Sequence, residues 1–155
     1  MAGTGDTEAW IDKLAITELA YRYADAVTRG DWDAFEAVWA PDGVWEEAPP
    51  VEVHVEGARA IREHVAPSLD RADFYVQMIH GVVVTLHGDG RASARTHLQG
   101  MAKAGQHTFV NYGIYYDELV KSEAGWQYTF RRLEHLYVES EPLVGHLPIS
   151  RADIP

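Results

Sequence analysis

The sequence predicts an α+β fold, in which N-terminal helices pack against one face of a curved, mainly antiparallel β-sheet. Apolar residues recur at helical spacing over residues 10–29, which is typical of a helix buried on one side. From residue 74 onward, long apolar segments alternate with short turns, as in a meander of antiparallel strands. Helices followed by a meander indicate an α+β domain. A sheet bent around helices encloses a cone-shaped pocket, which suits a small-molecule ligand.

The first helix, over residues 10–29, has two distinct faces. Its buried face is predicted to consist of Ile16, Leu19, Ala20, Tyr23 and Val27. The opposite face carries Asp25 and Arg29, an acid–base pair at i, i+4 spacing that is expected to be exposed. Thr28 lies at the edge of the apolar stripe, and Gly30 is expected to end the helix.

The remaining elements follow from local sequence signals. The turn signal Pro-Asp-Gly at 41–43 precedes a strand that opens at Val44. Residues 58–66 are predicted to form a short helix that ends at Pro67. The predicted strands lie near 44–47, 51–56, 74–86, 92–103, 107–120 and 126–138.

Composition narrows the function classes. The chain has 155 residues, of which 46% are hydrophobic, enough for a single domain over 1–155 with loosely structured tails at 1–7 and 139–155. A formal net charge of −11 argues against nucleic acid and membrane surfaces as partners. The lack of cysteine and of a signal-peptide pattern predicts a cytoplasmic protein. The eight histidines show no metal-binding spacing and no phosphate-binding motif is found, so neither a metal nor a cofactor is expected.

Four short motifs, taken in order and spacing, resemble a known family. They read TRGDWD at 28–33, APDGVW at 40–45, HGD at 87–89 and YYDEL at 115–119. This pattern resembles the SnoaL-like family, whose cone-shaped fold is named after nuclear transport factor two. Among its members the pattern is nearest to scytalone dehydratase and bile-acid 7α-dehydratase. The resemblance implies a hydrophobic, aromatic or polycyclic small-molecule ligand and, for these enzymes, an Asp–His pair that eliminates water.

The chain departs from the family at both residues of that pair. The family Asp corresponds to Thr28 and the family His to Gln77. Both side chains can hydrogen-bond a ligand, but neither is a base near neutral pH. If the chain is an enzyme, another titratable group near the pocket is needed.

The candidate base is a histidine. His80 is the first choice, because a bulge at the following glycine, residue 81, would turn it inward, whereas strict alternation would leave it on the outer face. His97 has the same two possible orientations. His135 lies about where the resemblance places a basic pocket residue, and its alternative is an outer strand position. No role is expected for His54, His64, His87 and His146.

Tyr23 and Asn111 are predicted to hold a substrate oxygen, with Tyr23 as the partner of the base. The alternatives are a core aromatic for Tyr23 and a surface amide for Asn111.

Two functions are compatible with the sequence. The first is a cofactor-free lyase, dehydratase or isomerase. The second is a non-catalytic binding module or subunit, like the small subunit of aromatic-ring-hydroxylating dioxygenases. Over 82–86 both the odd-numbered and the even-numbered residues are apolar, so the outer face of the strand needs cover as well as the inner face. A homodimer through the outer sheet face is therefore also predicted.

Overall fold

The computed structural model describes residues 4–49 and 51–141. Within these ranges the chain forms three helices, α1 Thr4–Arg29, α2 Trp32–Ala37 and α3 Ala58–Asp70. It also forms six strands, β1 Trp39–Glu47, β2 Val53–Glu56, β3 Phe74–Gly88, β4 Arg91–Ala104, β5 His107–Ser122 and β6 Gly125–Glu139.

The strands form one sheet in the order β2-β1-β6-β5-β4-β3. All neighbouring strands are antiparallel except β1 and β6, which run parallel. Parallel neighbours need a long connection, which α3 and the meander provide here. The sheet curves around the helices, and the predicted α+β class is confirmed. Within the described ranges, no helix is both long and apolar enough to span a membrane.

Helix α1 carries its predicted buried face into the core. Ile16, Leu19, Ala20, Tyr23 and Val27 are all at most 6% exposed. Asp25 lies on the opposite side with a side chain 65% exposed, and its carboxylate is 3.1 Å from the Arg29 guanidinium. Gly30, at φ 71°, takes the left-handed conformation that ends the helix.

Three local predictions are corrected by the structure. Helix α1 begins at Thr4, so residues 4–7 are helical rather than a loose tail. Helix α3 continues past Pro67 to Asp70, where the Trp32 indole donates a 3.0 Å hydrogen bond to the Asp70 carboxylate and fastens the last turn. Strand β1 includes the predicted turn at 41–43, which forms an irregularity in its pairing with β6. The predicted tail beyond residue 141 lies outside the described residues.

A bulge in β3 changes which residues face the helices. Pairing with β4 skips one residue between Ile79 and Gly81. Before it, odd-numbered residues such as Gln77 and Ile79 face the core; after it, even-numbered residues such as Val82 and Val84 do. The inserted residue reverses the alternation. The inward-facing apolar residues therefore change from odd to even numbers along β3, whereas Val83, within 82–86, remains exposed on the outer face.

A second bulge lies in β6. The pairing with β5 passes from Tyr128 to Phe130 while the partner strand advances by one residue, so Thr129 is the extra one. Tyr128 is buried before the bulge, and Arg131 and Leu133 are buried after it. The parity change directs Arg131, Leu133 and His135 inward, and a further irregularity at Leu136 leaves Tyr137 on the outer face.

His54 on β2 is expected to make stability depend on pH. Its ring nitrogens lie 2.9 Å from the Glu46 carboxylate and 3.0 Å from the Glu56 carboxylate. These hydrogen bonds raise the pKa of His54 above 6.5, and the bond to Glu56 has the larger effect. The stabilisation is present below the unfolded pKa and is lost as pH rises through the folded pKa. The melting temperature of His54→Gln should therefore fall below that of the wild type at about pH 6 and converge with it at about pH 9. Proton NMR that places the folded pKa of this ring at or below 6.5 would contradict this expectation.

Candidate active site

A cavity of about 350 Å³ lies between the helices and the concave face of the sheet. Most of its wall is apolar, and α1, α3 and all six strands contribute residues to it. Val51, His64 and Ser68 are exposed and mark its mouth, whereas the polar side chains deeper inside are buried. The buried polar lining consists of Tyr23, Gln77, Asn111 and Tyr115.

His135 and Glu47 form a hydrogen-bonded pair in the cavity wall. The His135 Nε2 atom lies 2.7 Å from Glu47 Oε1, and the two side chains are only 5% and 14% exposed. Because a carboxylate accepts and cannot donate, Nε2 carries the hydrogen and the lone pair of the neutral ring is on Nδ1. An imidazole held in one tautomer by a carboxylate is the arrangement of a general base.

Asn111 lies against the free side of that imidazole. Its Nδ2 atom is 3.4 Å from His135 Nδ1, a long contact that a ligand could replace. The neighbouring strand leaves room for the amide, since a Cβ atom at Gly100 would lie 2.3 Å from Asn111 Oδ1. Glycine at this position therefore allows the buried amide to lie across β4 beside the imidazole.

Gln77 occupies the position at which the family resemblance places a histidine. Its Nε2 donates a 2.9 Å hydrogen bond to the Tyr115 hydroxyl. Among the described residues its Oε1 has no hydrogen-bond partner, and neither has the Nε1 of Trp45, another residue of the cavity wall. Buried polar atoms are rarely unpaired, so these two atoms are candidate contacts for a polar ligand. Thr28 accepts a 3.1 Å hydrogen bond from the Gln77 backbone N–H at Oγ1 and does not line the cavity.

Tyr23 and Tyr115 form the floor of the cavity above a buried cation. The Arg131 guanidinium lies 4.3 Å from the Tyr23 ring centroid and 4.1 Å from that of Tyr115. Burial raises the pKa of Tyr23 well above its ordinary value and raises that of Tyr115. Both hydroxyls therefore stay protonated. They share a hydrogen bond with each other, so one of the two protons remains available for a substrate oxygen.

The structure does not bring His80 or His97 to the cavity. His80 is the extra residue of the β3 bulge, and its side chain is exposed. The bulge expected at residue 81 is present, but it reverses the strand so that Val82 faces inward, and His80 remains outside. His97 follows simple alternation between the buried Thr96 and Leu98 and is exposed.

Glu47 is the site residue that the sequence reasoning missed. The predicted strand near 44–47 includes it, but it was not considered for the site; it ends strand β1, two residues after the buried Trp45. Residues two apart on a strand share a face, so an acid at this spacing from a core tryptophan was the available signal. Among the described residues, no group of three or more His, Asp or Glu side chains is arranged to hold a metal ion.

Solved structures with the same architecture include several proteins from Novosphingobium. One, provisionally named an aromatic ring hydroxylase from Novosphingobium aromaticivorans, is 26% identical and has a TM-score of 0.77, covering 83% of this chain and 92% of its own. A protein provisionally named a scytalone dehydratase from the same organism is 14% identical with a TM-score of 0.77, over 90% of this chain and 97% of its own.

A hexachlorocyclohexane dehydrochlorinase has a TM-score of 0.80 at 11% identity, covering 92% of this chain and 97% of its own. The last two proteins share only 14% and 11% of their residues with this chain, so their similarity shows a common fold.

No curated protein sequence matches the chain at a significant level. The family model described as SnoaL-like domain matches residues 8–132, most of the chain. The protein therefore belongs to the SnoaL-like domain family.

Proposed function

We propose that this protein is a small-molecule lyase or isomerase in which the Glu47–His135 pair moves a proton without a cofactor. The observation that carries the proposal is the 2.7 Å contact between His135 Nε2 and Glu47 Oε1 in the wall of the cavity. It supplies a carboxylate–histidine pair in a chain whose family positions hold Thr28 and Gln77 instead.

Each group has a distinct role in this proposal. His135 accepts a substrate proton at Nδ1, while Glu47 holds the ring in the required tautomer and stabilises the imidazolium that forms. Tyr23 and Asn111 donate hydrogen bonds to a substrate oxygen on which negative charge develops. Removal of a proton next to a carbonyl group is the reaction that such an arrangement assists best.

The cavity wall supports an uncharged, largely apolar substrate. Valine, leucine and aromatic side chains provide most of the lining, including Val27, Leu69, Phe109 and Leu133. The volume of about 350 Å³ lies near the lower end of the range for small-molecule sites, roughly 300–1,000 Å³. A substrate of one or two fused rings with a carbonyl group and a hydroxyl group fits these properties.

An α-tetralone that bears a hydroxyl group β to its carbonyl tests the proposal. Loss of water from this bicyclic ketone and tautomerisation give α-naphthol, whose absorbance follows the reaction. We expect the protein to accelerate naphthol formation over the buffer rate and to be stabilised thermally by the tetralone and by naphthol. A panel of hydroxy and keto compounds that are neither turned over nor bound would reject the proposal.

The second candidate is a non-catalytic binding module or subunit. The substitution of Thr28 and Gln77 for the family pair favours it, as does the resemblance to the protein provisionally named an aromatic ring hydroxylase. Ligands that raise the melting temperature but are never converted would favour this function over catalysis.

A homodimer through the outer sheet face is part of the proposal. Five exposed apolar side chains form an outer-face patch, consisting of Met78, Val83, Tyr112, Tyr116 and Tyr137. Register joins Met78 to Tyr137 across four strands through Gln99 and Tyr112. Gln99 and Arg95 of β4 lie between the patch residues of β3 and those of β5. Several exposed apolar and aromatic side chains on one face favour contact with another protein surface, here a second copy of the chain.

Sedimentation should give about 35 kDa for the wild type, twice the chain mass of 17.3 kDa. Tyr116→Asp places a charge in the patch and is expected to shift the mass to that of a monomer. Leu14→Asp is the matched control, because Leu14 is exposed on α1 away from the sheet and its replacement should leave the dimer intact. A wild-type monomer at micromolar concentration would contradict the dimer.

A further inference from the structure

The cavity contains a second histidine, which the proposed function does not use. His64 and Ser68 lie one turn apart on α3 and both line the mouth of the cavity. His64 is exposed, so its imidazole can exchange protons with water, in contrast to the enclosed His135. It is one of the two histidines among the described lining residues.

The imidazoles of His64 and His135 each contact a residue of strand β1 on the same wall of the cavity. Trp45 and Glu47 are two residues apart on β1, so their side chains point to the same side, about 6–7 Å apart along the strand. The His64 ring packs against Trp45 with centroids 5.7 Å apart. His135 is bonded to Glu47 at 2.7 Å. The cavity therefore has one imidazole beside each of two successive wall positions.

Other proton donors in the cavity are less suitable. Burial raises the pKa of Tyr23 and that of Tyr115, which makes both phenols weaker acids. Asn111 and Gln77 are amides and do not transfer protons near neutral pH. Glu47 is held by His135 at 2.7 Å. His64, in contrast, lies at the mouth of the cavity, where water can return a proton to it.

From this geometry we infer that His64 is the general acid of the site and protonates the departing hydroxyl group. The inference rests on the proposed role of His135 as the base. His135 Nδ1 takes the proton on the carbon next to the carbonyl, and the electrons of that bond form the new double bond. The bond from the neighbouring carbon to oxygen breaks, and its electrons leave with the oxygen. The imidazolium form of His64 gives its proton to that oxygen, so water departs.

The site is then returned to its starting state through solvent. His135 ends the step protonated and His64 neutral, so one proton must leave the first ring and one must reach the second. No external oxidant or reductant is needed, and the substrate loses only water. A separate base and acid are needed for a cyclic ketone whose β-carbon carries a poor oxygen leaving group, and this is the substrate class that we infer.

The test compares two leaving groups on the same ring system. One substrate is the β-hydroxy-α-tetralone, and the other carries chlorine in place of the hydroxyl group. Chloride leaves without protonation, so it does not need a general acid. His64→Gln should slow water loss on the order of 10²-fold, the lower end of the effect of a general acid, and change chloride loss by less than about threefold. His135→Gln should slow both reactions, because both begin with removal of the same proton.

His87→Gln is the matched control, since His87 is exposed near the end of β3 and contacts Ser93 rather than the cavity. Equal slowing of both reactions by His64→Gln, or slowing of neither, would overturn the inference while leaving His135 as the base. Loss of both reactions in His135→Gln with selective loss in His64→Gln would support it. A wild-type protein that accelerates neither elimination would reject the proposed function and this inference together.

Discussion

Replacing His135 with glutamine is expected to lower the rate of elimination about 10²–10⁴-fold, the usual contribution of a general base. Glutamine keeps an N–H group that can donate to Glu47 but has no basic nitrogen. The buried wall is therefore preserved, and ligand affinity should change little. The reduction should appear in kcat rather than in KM, because the interaction that is lost is made only as the proton moves.

Two exposed histidines serve as controls for this experiment. His80→Gln and His97→Gln change the same residue type on the outer side of β3 and β4, away from the cavity. Both variants should retain wild-type rates. If His80→Gln were slow and His135→Gln fast, the base would lie outside the cavity wall. That result would reject the assignment of His135.

Breaking the Asp117–Arg131 pair is expected to cost about 3–5 kcal/mol of unfolding free energy, the usual effect of leaving one charge of a buried pair unpaired. Both side chains are fully buried, with contacts of 2.7 and 2.9 Å between guanidinium and carboxylate. Burial alone would lower the pKa of Arg131, but the Asp117 carboxylate outweighs it and the pKa is raised, so the guanidinium remains charged. Removing its partner with Asp117→Ala leaves that charge in the core.

Urea unfolding should detect this loss directly, since total stabilities of domains are about 5–15 kcal/mol. The double variant Asp117→Leu/Arg131→Met removes both charges and should regain much of the lost stability. Asp25→Asn is the exposed counterpart, because its pair with Arg29 lies on the surface, and it should cost at most about 0.5 kcal/mol. An Asp117→Ala variant as stable as Asp25→Asn would show that the buried charge is relieved in some other way.

The buried pair also bears on the cavity. Arg131 lies beneath the rings of Tyr23 and Tyr115 and 3.9 Å from the ring centroid of Tyr128. Thr96 donates a 3.1 Å hydrogen bond to Asp117, which fixes the carboxylate from the neighbouring strand. Loss of the pair is therefore expected to disturb the tyrosine floor as well as the core.

The sequence by itself determined the features that depend on neighbours along the chain. Helix α1 was predicted with the correct buried face, because the spacing of Ile16, Tyr23 and Val27 records a helical repeat directly. The meander of four strands followed from apolar segments and glycine-containing turns. His97 could not be assigned a side from the sequence, although the structure leaves it at the exposed position that alternation gives.

Tertiary structure alone decided which polar residues meet in the cavity. The bulge in β3 does not turn His80 inward, because His80 is itself the extra residue. The extra residue in β6 turns His135 inward, because a bulge exchanges the two faces of the strand that follows it. Glu47 reaches His135 only because β1 pairs in parallel with β6, a contact between residues 88 positions apart. The spacing of residues along the chain does not show where a bulge lies or which distant strands pair, so the Glu47–His135 pair could be recognised only in the folded chain.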